Sequence, residues 1–160
     1  MRSGYQVDRA VDLYADTVKR ICFCHLKCRE DAEDIFQEVF LKYMLHEGEF
    51  ESGEHEKAWL IRVSLNACKD RLRGLLRRSS LSLEEVAEQA AEGSGERREL
   101  LSAVLALPVK YRDVIYLHYY EGYTAAQIAQ LLRSRENTVY SLLKRGRDML
   151  RKALGGEDDD

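Results

Sequence analysis

Apolar residues recur along this chain of 160 residues at spacings of three and four, and strict alternation of apolar and polar residues does not occur. Val11, Tyr14, Val18, Ile21 and Cys22 draw the first such stripe and predict a helix over about 6–27. A second helix begins in "REDAEDIFQEVFLKYML", with Ala32, Ile35, Phe36, Val39, Phe40 and Tyr43 on its inner face. Its first turn carries acids, which suit the positive end of a helix. The stretch "HEGEFESGEH" reads as a loop. A third long helix is expected over about 56–74, with Ala58, Trp59, Ile61, Leu65, Cys68 and Leu72 as apolar positions.

The pattern then fades. "RRSSLSLEEVAEQAAEGSGERR" is small and polar, with at most one short helix started by a capping box, Ser82 with Glu85. It reads as a linker over 77–97. Periodicity returns from about 98 to 153, opened by Leu100, Leu101, Val104 and Leu105. Pro108 suits the first turn of the next helix, which includes Val114, Ile115 and Leu117. The expected fold is therefore all-α. Two small helical domains, 1–76 and 98–154, flank the linker, and 155–160 form an acidic tail.

Within the second domain, Thr124 and Gln127 form a capping box that starts the helix "AAQIAQLL". After a break at "RSR", a further helix runs through "ENTVYSLLKRGRDMLRK". Ile128, Ala129 and Leu132 fill inner positions of the first of these helices, and Val139 and Leu142 those of the second. That is the spacing of a helix-turn-helix. At 100° per residue, Val139, Leu143, Gly146 and Leu150 fall within about 60° and form a buried seam. Tyr140, Lys144, Arg147 and Arg151 share the far side, with Asn137 and Ser141 beside them. Short polar groups near the start of the helix suit base edges, and cations further along suit phosphates. A helix lying on a membrane needs a broader lipophilic face with aromatic anchors, which this one lacks.

Charge sharpens the picture. The formal net charge is −3, but it is segregated along the chain. Residues 30–56 carry ten acids against Lys42, whereas 62–78 carry Arg62, Lys69, Arg71, Arg73, Arg77 and Arg78 against Asp70. Two basic stripes between acidic blocks imply two surfaces for polyanions and others that repel polyanions or take basic partners. Apolar residues make up 45% of the chain, enough for buried cores, and no apolar run reaches the ~20 residues of a membrane span. The first residues lack the apolar core of a signal peptide, so a cytoplasmic protein without membrane insertion is expected.

"CFCHLKC" offers Cys22, Cys24, Cys28 and His25 as zinc ligands. On one helix, however, Cys24 and Cys28 project roughly 200° and 240° away from Cys22, so four ligands cannot converge. Cys22 and His25 belong to the buried face, and reduced thiols fit a cytosolic chain. No metal, cofactor or catalytic residue is expected.

Taken in order, three segments resemble the bacterial sigma factors of the sigma-70 family, and specifically the small extracytoplasmic-function (ECF) group. "DAEDIFQEVFLKYM" is similar to the region 2 helix that docks on the clamp helices of RNA polymerase. "AWLIRVSLNACKDRLR" resembles the tryptophan-led helix that melts and reads the −10 element. "LPVKYRDVIYLHYYEGYTAAQIAQLL" with "NTVYSLLKRGRDMLRK" resembles region 4, which reads the −35 element and contacts the polymerase flap. The resemblance implies a region 2 bundle of three to four helices and a region 4 helix-turn-helix.

It also implies site residues. Asp34, Gln37, Glu38 and Leu41 would meet core polymerase. Phe50, Trp59, Arg62, Asn66, Lys69 and Arg73 would serve −10 binding and melting, with Arg71 as a further cation. Phe50 would stack on a flipped base and Asn66 read its edge. Arg135, Glu136, Asn137, Thr138, Tyr140, Ser141, Lys144, Arg145 and Arg147 would form the −35 surface. The partners implied are core polymerase, promoter DNA and an anti-sigma factor, with a monomer outside those complexes.

Five departures from the family pattern stand out. Arg133 occupies the glycine of the turn, and Ser134 replaces an apolar residue and is placed to cap the recognition helix. Tyr140 and Leu142 stand where basic residues are common, and Leu65 replaces a frequent arginine. The rival reading is a stand-alone helix-turn-helix regulator whose N-terminal helices dimerise or sense. Such a regulator has no reason to carry the "DAEDIFQEVF" segment or the Trp59–Asn66 helix.

Overall fold

The computed structural model describes residues 1–26, 28–76 and 95–155. Every regular element among them is helical. The chain divides into two compact units, with the division inside the stretch 77–94, which lies outside the described residues together with the Ser82–Glu85 capping box.

The first unit holds α1 (Gly4–His25), α2 (Arg29–Leu45) and α3 (Gly53–Leu76). Ser3 caps α1 reciprocally with Gln6, so the helix starts two residues before the expected position. At the start of α3, the Ser52 hydroxyl accepts the His55 N–H at 3.1 Å, which carries that helix back to Gly53. The core forms where the three stripes meet: Val18, Ile21 and Cys22 from α1, Ile35, Val39 and Tyr43 from α2, Leu60, Ile61 and Leu65 from α3. Phe36 is only half-buried, at the edge of this core, with its ring against Phe40 and under the Lys19 ammonium.

The second unit holds α4 (Gly95–Ala106), α5 (Val109–Ile115), α6 (Ala125–Leu132) and α7 (Glu136–Ala153). Here α4 begins three residues before the expected start at 98, because Glu96, Arg97 and Arg98 are strong helix formers. Leu100, expected inside, is exposed; Leu105 is buried as expected, and Ala103 and Leu107 complete that side of the core. Pro108 sits at the N-cap of α5, where its missing N–H costs nothing. The helix does not stop at Ile115. It widens into a π-turn over Tyr116–Tyr120, closed by the Glu121 N–H donating to the Tyr116 carbonyl at 3.2 Å. Leu117, Ile128, Val139 and Leu143 complete the core, while Leu142 and Leu150 are half-buried at its margin.

Candidate nucleic-acid and polymerase interfaces

The helix-turn-helix is built from α6 and α7. The Thr124 hydroxyl accepts the Gln127 N–H at 3.2 Å, and the Gln127 side chain accepts the Thr124 N–H at 2.9 Å, which fixes where α6 starts. At its end Arg133 adopts the left-handed conformation (φ 55°, ψ 46°), and the Ser134 N–H donates to the Ala129 carbonyl at 2.9 Å. This closes the helix as glycine would, at an energetic cost to a residue with a Cβ. The expectation that Ser134 caps α7 is not met. The N-cap is Arg135, with no side-chain bond, because the turn engages Ser134 one residue earlier.

On α7 the two faces separate as the wheel predicts. Val139, Leu143 and Gly146 are buried. A Cβ on Gly146 would lie 3.0 Å from Ile115 Cγ1, so the glycine sets how closely α7 approaches α5. Arg135, Glu136, Asn137, Thr138, Tyr140, Ser141, Lys144, Arg145 and Arg147 are all exposed. The Arg147 guanidinium donates to the Tyr119 hydroxyl at 3.2 Å, a contact the sequence did not suggest.

In the first unit, Trp59, Arg62, Asn66, Lys69 and Arg73 fall on one side of α3, within an arc of roughly 80° at 100° per residue. Asn66 and Arg73 are exposed, whereas Trp59, Arg62 and Lys69 are half-buried. Arg71 departs from this stripe. Its guanidinium pairs with Asp31 at 2.8 Å and lies 3.9 Å from Asp34, so it braces α3 against α2.

Phe50, on the loop between α2 and α3, is brought to 5.7 Å from Trp59. Its ring is half-buried. Tyr43 stacks parallel to it at 6.1 Å, His46 stacks at 5.5 Å, His55 stands edge-on at 5.4 Å, and the Arg2 guanidinium covers it at 4.9 Å. Asn66 lies two helical turns beyond Trp59, about 10 Å along the axis. Neither Arg2 nor His46 stood out in the sequence; each acts through its place beside α2 rather than through a motif.

A buried carboxylate supports this cluster. Glu56 in the first turn of α3 accepts the Tyr43 hydroxyl at 2.9 Å and receives Arg9 at 3.1 Å on each of its oxygens. Burial first, and then the Glu56 acceptor, push the Tyr43 phenol above its ordinary value; Tyr14 is raised by the same pair of causes. Glu56 in turn makes the Arg9 guanidinium hold its proton more tightly.

The outer side of α2 presents Asp34, Gln37 and Leu41 to solvent, with Glu38 half-buried and joined to Lys42 at 3.0 Å. Leu45 extends this face, so two exposed leucines lie in an acidic surround. The cysteines lie elsewhere. Cys22 and Cys68 are buried and Cys24 and Cys28 half-buried, all as free thiols, and His25 Nδ1 lies 2.9 Å from the Ile21 carbonyl. Among the described residues, no group of three His, Cys, Asp or Glu side chains could share an ion.

The sequence itself matches known families. Residues 10–78 match the model of sigma-70 region 2, and 97–150 match that of sigma-70, region 4. The chain is 30% identical over 161 residues to the ECF RNA polymerase sigma factor SigW of Bacillus subtilis (strain 168), covering 90% of this chain and 86% of that protein. The chain belongs to the extracytoplasmic-function group of the sigma-70 family.

Other sigma factors extend the comparison. The ECF RNA polymerase sigma factor SigM of Mycobacterium tuberculosis (strain ATCC 25618 / H37Rv) is 29% identical over 154 residues, covering 94% of this chain and 78% of that one. In fold, the chain resembles the sigma factor RpoE in its complex with the anti-sigma factor NepR from Bartonella quintana (TM-score 0.74, 19% identity, 92% of this chain and 95% of that chain). It also resembles CnrH in complex with the cytosolic domain of CnrY (TM-score 0.71, 21% identity, 95% and 89%). As a sigma factor it directs promoter-specific initiation and leaves the chemistry to the polymerase; it is not an enzyme. The stand-alone regulator is disfavoured by the region 2 match. No helix among the described residues is long and apolar enough to cross a membrane.

Proposed function

We propose that this sigma factor divides promoter recognition between its two domains, 1–76 and 98–154. The exposed side of α2, with Asp34, Gln37, Glu38 and Leu41, docks on the polymerase clamp helices, where acids around exposed leucines suit a basic, partly apolar partner. Trp59, Arg62, Asn66, Lys69 and Arg73 track the −10 strand, and the Phe50 loop takes one flipped base. Separating a few base pairs costs several times ~1.4 kcal/mol of stacking, which base capture and polymerase contacts together must offset.

In the other domain α7 enters the −35 major groove. Arg135 to Ser141, Val139 excepted, meet bases at its start, and Lys144, Arg145 and Arg147 meet phosphates further along, while the rest of the domain reaches the polymerase flap. The free chain is a cytoplasmic monomer that binds DNA poorly, since its net charge of −3 opposes non-specific contact. An anti-sigma factor holds it until a signal arrives, a reading supported by a fold neighbour solved with such a partner.

The observation that carries the −35 assignment is the opposition on α7, with Val139, Leu143 and Gly146 buried and Tyr140, Lys144 and Arg147 exposed. Run-off transcription with core polymerase tests it. Lys144→Ala and Arg145→Ala lower −35-dependent output and leave polymerase affinity unchanged; unaltered output would remove α7 from the groove.

A further inference from the structure

We propose that Arg2 is a positioning residue for −10 base capture, bolting the Phe50 loop to the end of α2. The inference rests on the reading that Phe50 receives a flipped base. Its basis is a convergence of contacts on one side chain. The Arg2 guanidinium donates to the carbonyls of Tyr43 at 3.3 Å, of Gly48 at 2.6 Å and of His46. The main-chain N–H of Arg2 adds the Met44 carbonyl at 2.8 Å. These acceptors are the terminal carbonyls of α2 and the first turn of the loop, where a helix end is negative and unsatisfied. An arginine fork can serve several of them together; a lysine ammonium cannot match that geometry.

The same guanidinium lies 4.7 Å from the Tyr43 ring centre and 4.9 Å from that of Phe50, so it also bridges the two parallel rings. Tyr43 is itself fixed from the other end by Glu56, and Glu56 by Arg9. The loop therefore rests on a rigid base through Arg2. A loop held in its receiving geometry loses less freedom when a base arrives, so the captured state lasts longer.

Trp59 is the chain's single tryptophan and lies 4.7 Å from His46 and 5.7 Å from Phe50, so its emission reports the loop directly. The experiment compares the full chain with Arg2→Ala, Arg2→Lys and Phe50→Ala. It measures acrylamide quenching of Trp59, affinity for core polymerase, and open-complex lifetime on promoters with intact or abasic non-template −10 positions. Arg2→Ala is expected to raise quenching and to shorten the lifetime about three- to tenfold on the intact promoter. On the template abasic at the captured position it has no further effect. Arg2→Lys behaves more like alanine than like arginine, and polymerase affinity stays within about twofold throughout. Unchanged quenching overturns the clamp. Equal losses on intact and abasic templates overturn positioning, since a loosened fold is blind to the base. A wild-type complex indifferent both to the abasic sites and to Phe50→Ala overturns the Phe50 reading and the functional half of this proposal, while the quenching response still reports the clamp.

Discussion

The Tyr43 hydroxyl donates to the Glu56 carboxylate across 2.9 Å, joining the last turn of α2 to the first turn of α3 through a carboxylate that is 5% exposed. Hydrogen bonds to a buried charge contribute more than neutral ones, so Tyr43→Phe should cost about 1.5–3 kcal/mol at neutral pH. Urea unfolding of the two proteins checks this; a difference below ~0.5 kcal/mol would mean that solvent replaces the hydroxyl.

The same pair sets an alkaline limit. The folded Tyr43 phenol titrates above its ordinary value of 10.0, through burial and through Glu56. Between the unfolded and the folded values the native state binds more protons, so stability falls as pH rises. The contribution is present in full below pH 10 and disappears as pH climbs through the raised folded value. Unfolding free energies from pH 8 upward should therefore decline more steeply for the natural chain than for Tyr43→Phe. Tyr14, shifted in the same direction, leaves a residual slope in the variant.

Arg133 holds a left-handed conformation that costs a residue with a Cβ about 1–2 kcal/mol. Arg133→Gly should raise stability by roughly 1 kcal/mol, less than the full strain because glycine also loosens the unfolded chain. Arg133→Val should destabilise by more than that, since branching at Cβ worsens the clash. Thermal melts in the order glycine, arginine, valine are the expected result; any other order would mean that the turn rearranges.

Gly146 lies where α7 crosses α5. Its added Cβ would meet Ile115 Cγ1 at 3.0 Å and Cδ1 at 3.2 Å, atoms of a side chain that is itself buried. Gly146→Ala combines a gain in helix propensity of about 1 kcal/mol with a comparable packing strain, so its net effect should be within ~1 kcal/mol of zero. Gly146→Leu has no such compensation and should cost about 1–3 kcal/mol or more. Equal stabilities for the two variants would imply that the helices simply slide apart.

Most of the fold was legible because its signals are local. The capping box of Thr124 with Gln127 and the three-and-four stripes on α1, α2 and α7 depend on residues within two turns of each other. The missed features depend on contacts distant in sequence. Arg71 counts as one cation among several until its pairing with Asp31, forty residues away, removes it from the −10 stripe. Arg2 carries no pattern at all, yet it reaches carbonyls more than forty residues away. The Ser134 cap failed for another reason: two local rules competed for one residue, and the left-handed closure of α6 took it before α7 began. Leu100 satisfied the helical spacing and is nevertheless exposed, because spacing marks a stripe and not which of its positions meets a partner.

Arg71 and Arg73 make a matched test of brace against nucleic-acid contact. Arg71 pairs with Asp31, which is largely covered, whereas Arg73 is exposed and, among the described residues, lies 3.8 Å from Asp70. Arg71→Ala should lower the unfolding free energy by about 1 kcal/mol, the upper end of the exposed-pair range, because Asp31 is partly shielded. Arg73→Ala should leave stability unchanged and weaken binding to −10 single-stranded DNA by the holoenzyme. Loss of DNA affinity without loss of stability for Arg71→Ala would return that residue to the DNA-facing group.

The hydroxyl of Tyr119 accepts from Arg147 at 3.2 Å, on a surface where ion pairs and polar pairs contribute little to folding. Its value lies in aiming the guanidinium, so Tyr119→Phe and Arg147→Ala should separate in a salt titration of holoenzyme on −35 DNA. Removing a phosphate-binding charge lowers the slope of log K against log salt by about 0.9. Arg147→Ala and Lys144→Ala should each do so. Tyr119→Phe keeps every charge, so the line should shift downward by about two- to threefold in affinity with its slope intact, reflecting the freedom restored to one long side chain. A reduced slope for Tyr119→Phe would show that the tyrosine's loss withdraws Arg147 from the DNA altogether, and an unshifted line would show that the guanidinium finds its phosphate unaided.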